Sequence, residues 1–306
     1  METKNPVTID NFEDGLKQSS PMPLLNVDRK RKTGYDYLEE LSNKLIASIK
    51  DGTSPLLPNA EGFVDLKPAY NFANNKVQSG LTQVMLLEKM KELGSPSNGF
   101  ITFDMLKKAQ DAGVDCKLMK GSKGVVIPIF EKGKIKEVDV KNNWFNLSQI
   151  ENADALVAFY KEKMTEQWKK DVAYINEKHP DSDYAEKKNP AEKNMAKENK
   201  NIIPLNDKTT EAFQYIAQVI NAMNTGRKLF VTPEQAAAFK TKAIQELTAE
   251  YEPGKRDLLA IKNITDKASY MFSKSQENLK KYQEKNNEQK IEKKPRTREP
   301  SHELGM

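Results

Sequence analysis

Residues 120–150 read KGSKGVVIPIFEKGKIKEVDVKNNWFNLSQI, and this stretch decides the fold. Residues 125–130 form a β-branched, apolar run bounded by glycine-containing turns, the composition of a strand. Lys132-Gly133-Lys134 supplies a short turn into residues 135–140, so the two runs predict a β-hairpin. Residues 144–147 predict one more strand, leading into a helix that starts near Ser148.

Working upstream, Phe100-Ile101-Thr102 predicts a short strand, with Thr102 placed to cap a helix over 103–112 that Gly113 stops. Residues 114–118 predict a strand. A Pro-containing polar loop occupies roughly 53–78. Leu38, Leu41, Leu45, Ile46 and Ile49 recur at spacings of three and four, one face of a helix over 35–50 that Gly52 caps. A second helix over 81–93 carries Leu81, Val84, Met85, Leu87 and Met90 and closes at Gly94. The fold class is therefore α+β: N-terminal helices packed on a small, mostly antiparallel sheet, followed by an α-helical C-terminal region.

Downstream the chain becomes polar. Residues 1–32 read as a flexible N-terminal arm ending in the basic run 28–32, and 33–150 as the α+β domain. Residues 151–176 predict a connecting helix and 177–204 a polar linker. Residues 205–283 predict a separate helical module, with helices near 209–223, 233–251 and 255–282. The charge-rich tail 284–306 predicts disorder.

Composition agrees with that division. Of 306 residues, 37% are hydrophobic, against roughly 45–50% in an average globular domain. The shortfall calls for long exposed helices or disorder. A net charge of +5 permits a polyanionic partner without demanding one. One cysteine, Cys116, rules out an intrachain disulfide and suits a reducing compartment. The polar, acidic start has no apolar core of a signal peptide. No stretch approaches the roughly 18 apolar residues of a spanning helix. A cytoplasmic protein away from the membrane is expected.

Catalytic chemistry finds little support. His179 and His302 are the only histidines and both fall outside the expected elements, so neither a metal site nor a His-dependent triad is expected. His302-Glu303 begins a zincin-like pattern, but no second histidine follows at the required spacing. Lys120-Gly121-Ser122-Lys123-Gly124 has its glycines too close for a P-loop and precedes a strand rather than a helix. Its amides and lysines suit a nucleic-acid backbone better than a nucleotide triphosphate, and an ordinary turn is the simpler alternative. Tyr70, Phe72, Phe100, Phe103, Trp144 and Phe145 interleave with basic and polar groups, as in single-strand binders. Strand alternation sends about half of such side chains into the core, and one of Trp144 and Phe145 should face inward.

Several segments, in order, resemble the N-terminal domain of ArdC-type antirestriction proteins, which are encoded on plasmids, conjugative elements and phages. They are 45–55 (LIASIKDGTSP), 67–72 (KPAYNF), 79–83 (SGLTQ), 100–103 (FITF), Gly113-Val114, 120–124 (KGSKG) and 144–150 (WFNLSQI). Family members often add a C-terminal zinc metalloprotease-like domain, whose HExxH this chain lacks. The chain also has Leu56 and Phe100 where tryptophan is common in the family. The resemblance implies single-stranded-DNA binding by an accessory protein of a mobile element, with DNA-processing or restriction proteins as further partners; the missing ligand and catalytic constellations lead us to expect no cofactor, metal or reaction. On that reading Lys117, Lys120 and Lys123, with Ser122 in the same turn, meet phosphates. Asn71, Thr102, Asn146 and Gln149 hydrogen-bond the backbone or bases, and Phe72, Phe100 and Trp144 offer aromatic faces. The alternative is a non-catalytic protein-interaction module that kept the fold and lost DNA binding. Its partners would dock on 151–306, and deleting that half would leave any DNA affinity untouched.

Overall fold

The computed structural model describes residues 32–131, 134–135, 143–179, 189–192 and 201–292. The chain divides at Lys32 into two units, and all but one of the described residues belong to the second. The expected arm and charged tail fall mainly outside the described residues.

Helix α1 (Gly34–Asp51) begins at Thr33 with a reciprocal cap: Thr33 Oγ1 accepts from the Asp36 N–H, and the Asp36 carboxylate accepts from the Thr33 N–H at 2.6 Å. It ends at Gly52, whose φ of 74° is the left-handed conformation glycine supplies without steric cost. Two-residue strands β1 (Phe63–Val64), β2 (Tyr70–Asn71) and β3 (Lys76–Val77) occupy the segment read as a loop. Helix α2 (Gly80–Leu93) is buried along Leu81 to Lys89 except at Thr82, and so is the central helix. Strand β4 (Gly99–Thr102) feeds α3 (Phe103–Asp111), and Thr102 Oγ1 accepts from the Met105 N–H as its cap.

Beyond α3 run β5 (Lys117–Leu118), β6 (Val125–Val126), β7 (Phe130–Glu131), β8 (Lys134–Ile135) and β9 (Asn143–Asn146). The hairpin expected between 125–130 and 135–140 is present only at its turn end. Phe130 pairs with Ile135, whereas Val125 and Val126 pair with β9. Pro128 accounts for the split, since it brings no N–H to a ladder. The remainder of the expected second run lies outside the described residues. A 3-10 turn (Leu147–Gln149) leads to β10 (Ile150–Glu151), which pairs antiparallel with β5.

Helix α4 (Ala153–Lys178) follows. Strand β11 (Asn201–Pro204), inside the expected linker, precedes α5 (Ala212–Asn224), β12 (Arg227–Phe230) and α6 (Pro233–Leu247). Strands β13 (Glu250–Glu252) and β14 (Lys255–Arg256) form a hairpin around Gly254 where helix was expected, and α7 (Ala260–Glu292) completes the described chain.

The largest sheet has the order β3-β2-β4-β9-β6, antiparallel except for the β2–β4 pair. The other described strands make a three-stranded sheet β1-β12-β11 and three two-stranded ribbons. The fold is thus α+β with mostly antiparallel pairing.

Two cores form. The larger joins Leu38, Leu45 and Ile49 of α1 and Val84 to Leu87 of α2 to Tyr215, Ile216 and Val219 of α5, Phe239 of α6 and Ile261 of α7. Segments 33–150 and 205–283, read from sequence as separate units, therefore share one hydrophobic interior. Pairing of β1 with β12 and a 2.8 Å bond from the Tyr215 hydroxyl to the Leu56 carbonyl tie them further. The smaller core gathers Phe72, Ile101, Leu106, Ala109, Cys116, Ile150, Leu156 and Tyr160 between the large sheet, α3 and α4.

Candidate nucleic-acid interface

The basic turn between β5 and β6 is fixed from behind by Asn146 and Gln149. Asn146 Oδ1 accepts from the Ser148 N–H at 3.0 Å, and Gln149 Oε1 accepts from the Asn146 N–H at 3.0 Å, a reciprocal cap on the 3-10 turn. Gln149 Nε2 donates to the Lys123 carbonyl at 3.1 Å, while the Gln149 carbonyl accepts from the Met119 N–H at 2.9 Å and the Ser122 hydroxyl at 3.4 Å. Both ends of the 119–123 turn therefore hang on one side chain and its own carbonyl.

The two glycines of the turn do different jobs. Gly121 has φ 84° with open space around it, which is a turn requirement. A Cβ on Gly124 would stand 2.2 Å from Asn143 Oδ1 and 2.7 Å from the Trp144 carbonyl oxygen, so the approach of β6 to β9 excludes any side chain.

On this platform Lys117, Lys120 and Lys123 are exposed and Ser122 is half-buried. Lys117 spends its charge on Glu151, its cross-strand partner, at 3.1 Å. Lys120 and Lys123 make no ion pair among the described residues. Met119, between them and Lys117, is 42% exposed.

The remaining sequence candidates are mostly structural. Phe72 and Phe100 are 4% and 0% exposed and belong to the two cores, so neither ring can stack on a base. Asn71 is buried; its Oδ1 accepts from the Ala73 N–H at 3.0 Å and its Nδ2 contacts Met105 Sδ. Thr102 is committed to capping α3. Asn146 is fully buried, donating to the Ser97 carbonyl and accepting from the Ser95 hydroxyl, both at 2.9 Å, and Gln149 is buried beside it. Their place in the site is to hold the turn, and their own polar groups are already satisfied.

Trp144 and Phe145 divide as alternation requires. Phe145 is buried, opposite Ile101 in the sheet register. Trp144, half-buried, packs toward the larger core and lines a groove of about 410 Å³ with Phe130, Thr82 and Lys262, on the opposite face of the sheet. Lys262 stands over the Phe130 ring at 4.9 Å and is ion-paired with Asp266. The exposed aromatic on the Phe145 face is Phe103, 38% exposed and tilted against Phe145 at 6.4 Å. Sequence alternation marks it only as one of several aromatics.

The geometry is thus a turn that carries exposed lysines on a backbone braced by buried amides, and a half-exposed ring at the start of α3. No family model and no curated protein matches the chain. The chain is similar in structure to the antirestriction protein ArdC of plasmid R388. Its metal-free crystal structure matches with a TM-score of 0.45 and 15% identity over 79% of this chain and 97% of that one. Its Mn(II)-bound structure matches with a TM-score of 0.44 at the same identity and coverage.

Among the described residues, no group of three or more His, Cys, Asp or Glu side chains is placed to hold a metal ion, and no helix is long and apolar enough to cross a membrane. Burial, and then the charge of Asp115, push the Cys116 thiol up, opposite to the shift of a reactive thiolate. Burial, then Asp104 and Cys116, raise Tyr160 to about 12. Its hydroxyl donates to the Met105 carbonyl at 2.6 Å. These are the shifts of groups enclosed in a core.

Proposed function

We propose that this chain is a non-enzymatic, single-stranded-DNA-binding accessory protein of a mobile genetic element, acting in the cytoplasm against restriction. The observation that carries the binding role is the braced turn with Lys120 and Lys123 free of ion pairs among the described residues. A cation on a rigid turn meets a phosphate without first giving up a carboxylate partner or ordering its own backbone. The ordered motif series over 45–150 supports the mobile-element role.

The test is a fluorescence-polarisation titration of the full chain with single- and double-stranded oligonucleotides at two salt concentrations. Affinity for the single strand should exceed that for the duplex and fall steeply with salt, because neutralised phosphates release counterions. The double charge reversal K120E/K123E should lower affinity at least tenfold, on the order of two lost phosphate contacts. No binding at low salt, or salt-independent binding, overturns the proposal. The burial of Phe72 and Phe100 favours a second reading, a protein-interaction module built on the same fold, and absence of DNA binding by an intact, folded chain would select it.

A further inference from the structure

Phe103 occupies a position for which core packing gives half a reason. Its ring leans on Phe145, with 54° between the planes, yet 38% of the residue stays exposed at the first position of α3. Lys107 lies one turn further along the same helix face. It is exposed and has no ion pair among the described residues, whereas the neighbouring acid Asp104 is held by Lys108 at 2.6 Å.

On the other side, the pairing of Val125 with Trp144 and Val126 with Asn143 sets Gly124 opposite Phe145 when the register is continued by one residue. Gly124 carries no side chain, and the Asn143 carboxamide fills the place where its Cβ would stand. Immediately beyond lie Lys123 and the braced turn. Strands β4 and β6 run the same way on either side of β9, so Lys123 stands level with Phe100, two strand spacings of about 4.8 Å across and three residues of about 3.3 Å along from Phe103.

We propose that Phe103 is the base-stacking residue of this surface: a single DNA strand runs obliquely over β4, β9 and β6, one base on the Phe103 ring, its phosphates between Lys107 and the Lys120/Lys123 turn. The proposal rests on the single-strand-binding reading and adds the residue that contacts a base. It also explains how the site dispenses with Phe72 and Phe100, the aromatics enclosed in the cores.

The test uses the full chain and a labelled oligothymidine, alongside the same strand carrying abasic positions. Stacking is worth about 1–3 kcal/mol per base, so Phe103→Ala should weaken the normal strand by about five- to a hundredfold. It should leave the abasic strand and the salt slope unchanged. Phe103→Leu, which keeps most of the packing on Phe145, should lose affinity like alanine, and Phe103→Trp should retain it. Lys107→Ala should instead lower the salt slope by about one on both strands. Wild-type binding to the normal strand with equal binding by folded Phe103→Leu overturns the stacking role and leaves the binding reading intact. Absence of wild-type binding overturns both.

Discussion

The two cores close in different ways. The smaller draws all its buried members from residues 72 to 160, a nearly continuous stretch of chain. The larger has almost the full length of the described chain between its first member, Leu38, and its last, Ala268. Each encloses one tyrosine whose hydroxyl donates to a backbone carbonyl: Tyr160 to Met105, 55 residues away, and Tyr215 to Leu56, 159 residues away. The candidate interface sits on the small, local core, whereas the stability of the front segment depends on the large, non-local one. A surface built from residues 100–150 can thus be lost by changes more than a hundred residues downstream.

Truncation is the strongest way to break this asymmetry. Ending the chain at residue 200 removes α5, β12, α6 and α7, leaving the buried faces of α1 and α2 open to water. At about 25 cal/mol per Å² of apolar surface, several uncovered side chains exceed the net stability of a typical domain. We expect the fragment to lose its cooperative thermal transition in circular dichroism and its oligonucleotide affinity with it. A fragment that melts cooperatively and binds would show that the small core suffices.

Next in size are paired tyrosine substitutions. Tyr215 is stacked on Phe239 with centroids 3.9 Å apart and is almost fully buried, so Tyr215→Ala should cost about 3–5 kcal/mol in urea unfolding. Tyr215→Phe strands the buried Leu56 carbonyl, at about 1–3 kcal/mol, whereas Tyr160→Phe removes a bond to a half-buried carbonyl inside α3 and should cost about 0.5–1.5 kcal/mol. The Tyr160 shift adds a pH dependence. Its folded value of about 12 lies above the ordinary 10.0, so its contribution is complete below pH 10 and is lost as pH rises from there toward 12. Burial raises Tyr215 in the same direction. The fall in urea midpoint above pH 10 should therefore shrink in either phenylalanine variant, and an unchanged slope would remove the tyrosine from the account.

Locally coded elements were readable in both cores. Helices α1, α2 and α3 follow from apolar spacing and from Thr102, Gly52 and Gly94 at their ends, because caps and amphipathic faces are local signals. The β1–β12 pair is invisible by comparison, since two residues have no period, and its partners are separated by more than 160 positions. Pro128 was available to divide the 125–130 run, but which half pairs with which strand depends on β9. Asn146 and Gln149 show how one spacing carries two meanings. Polar residues three apart fit a DNA contact as well as a reciprocal cap, and burial decides between them. Alternation says that one of Trp144 and Phe145 is inside without saying which, and it is silent about Phe103 at a helix start.

Within the interface, removing the brace should matter more than removing any one cation. Gln149→Ala deletes the bonds to the Lys123 carbonyl and the Asn146 N–H. Loss of a cap of this kind costs about 0.5–2 kcal/mol. We expect a lower melting temperature together with weaker oligonucleotide binding at unchanged net charge. Gln149→Glu, which turns a buried carboxylate oxygen toward the Lys123 carbonyl, should fall below alanine. If both variants bind like wild type, the turn does not need to be held in place.

The smallest effect concerns Lys117, the one lysine of the turn region whose charge is already paired. Its bridge to Glu151 is exposed on both sides, and such pairs are worth about 0–1 kcal/mol. Glu151→Gln should therefore leave the urea midpoint nearly unchanged while releasing a cation on the β5–β10 ribbon. A released cation that reaches the strand adds about one to the salt slope, and Lys120→Ala should subtract about one. Opposite signs in the two variants would place Lys117 beside the phosphate path, with Glu151 as its competitor. A Glu151→Gln protein with the wild-type slope would confine the path to the Lys120–Lys123 turn and the α3 side of the sheet.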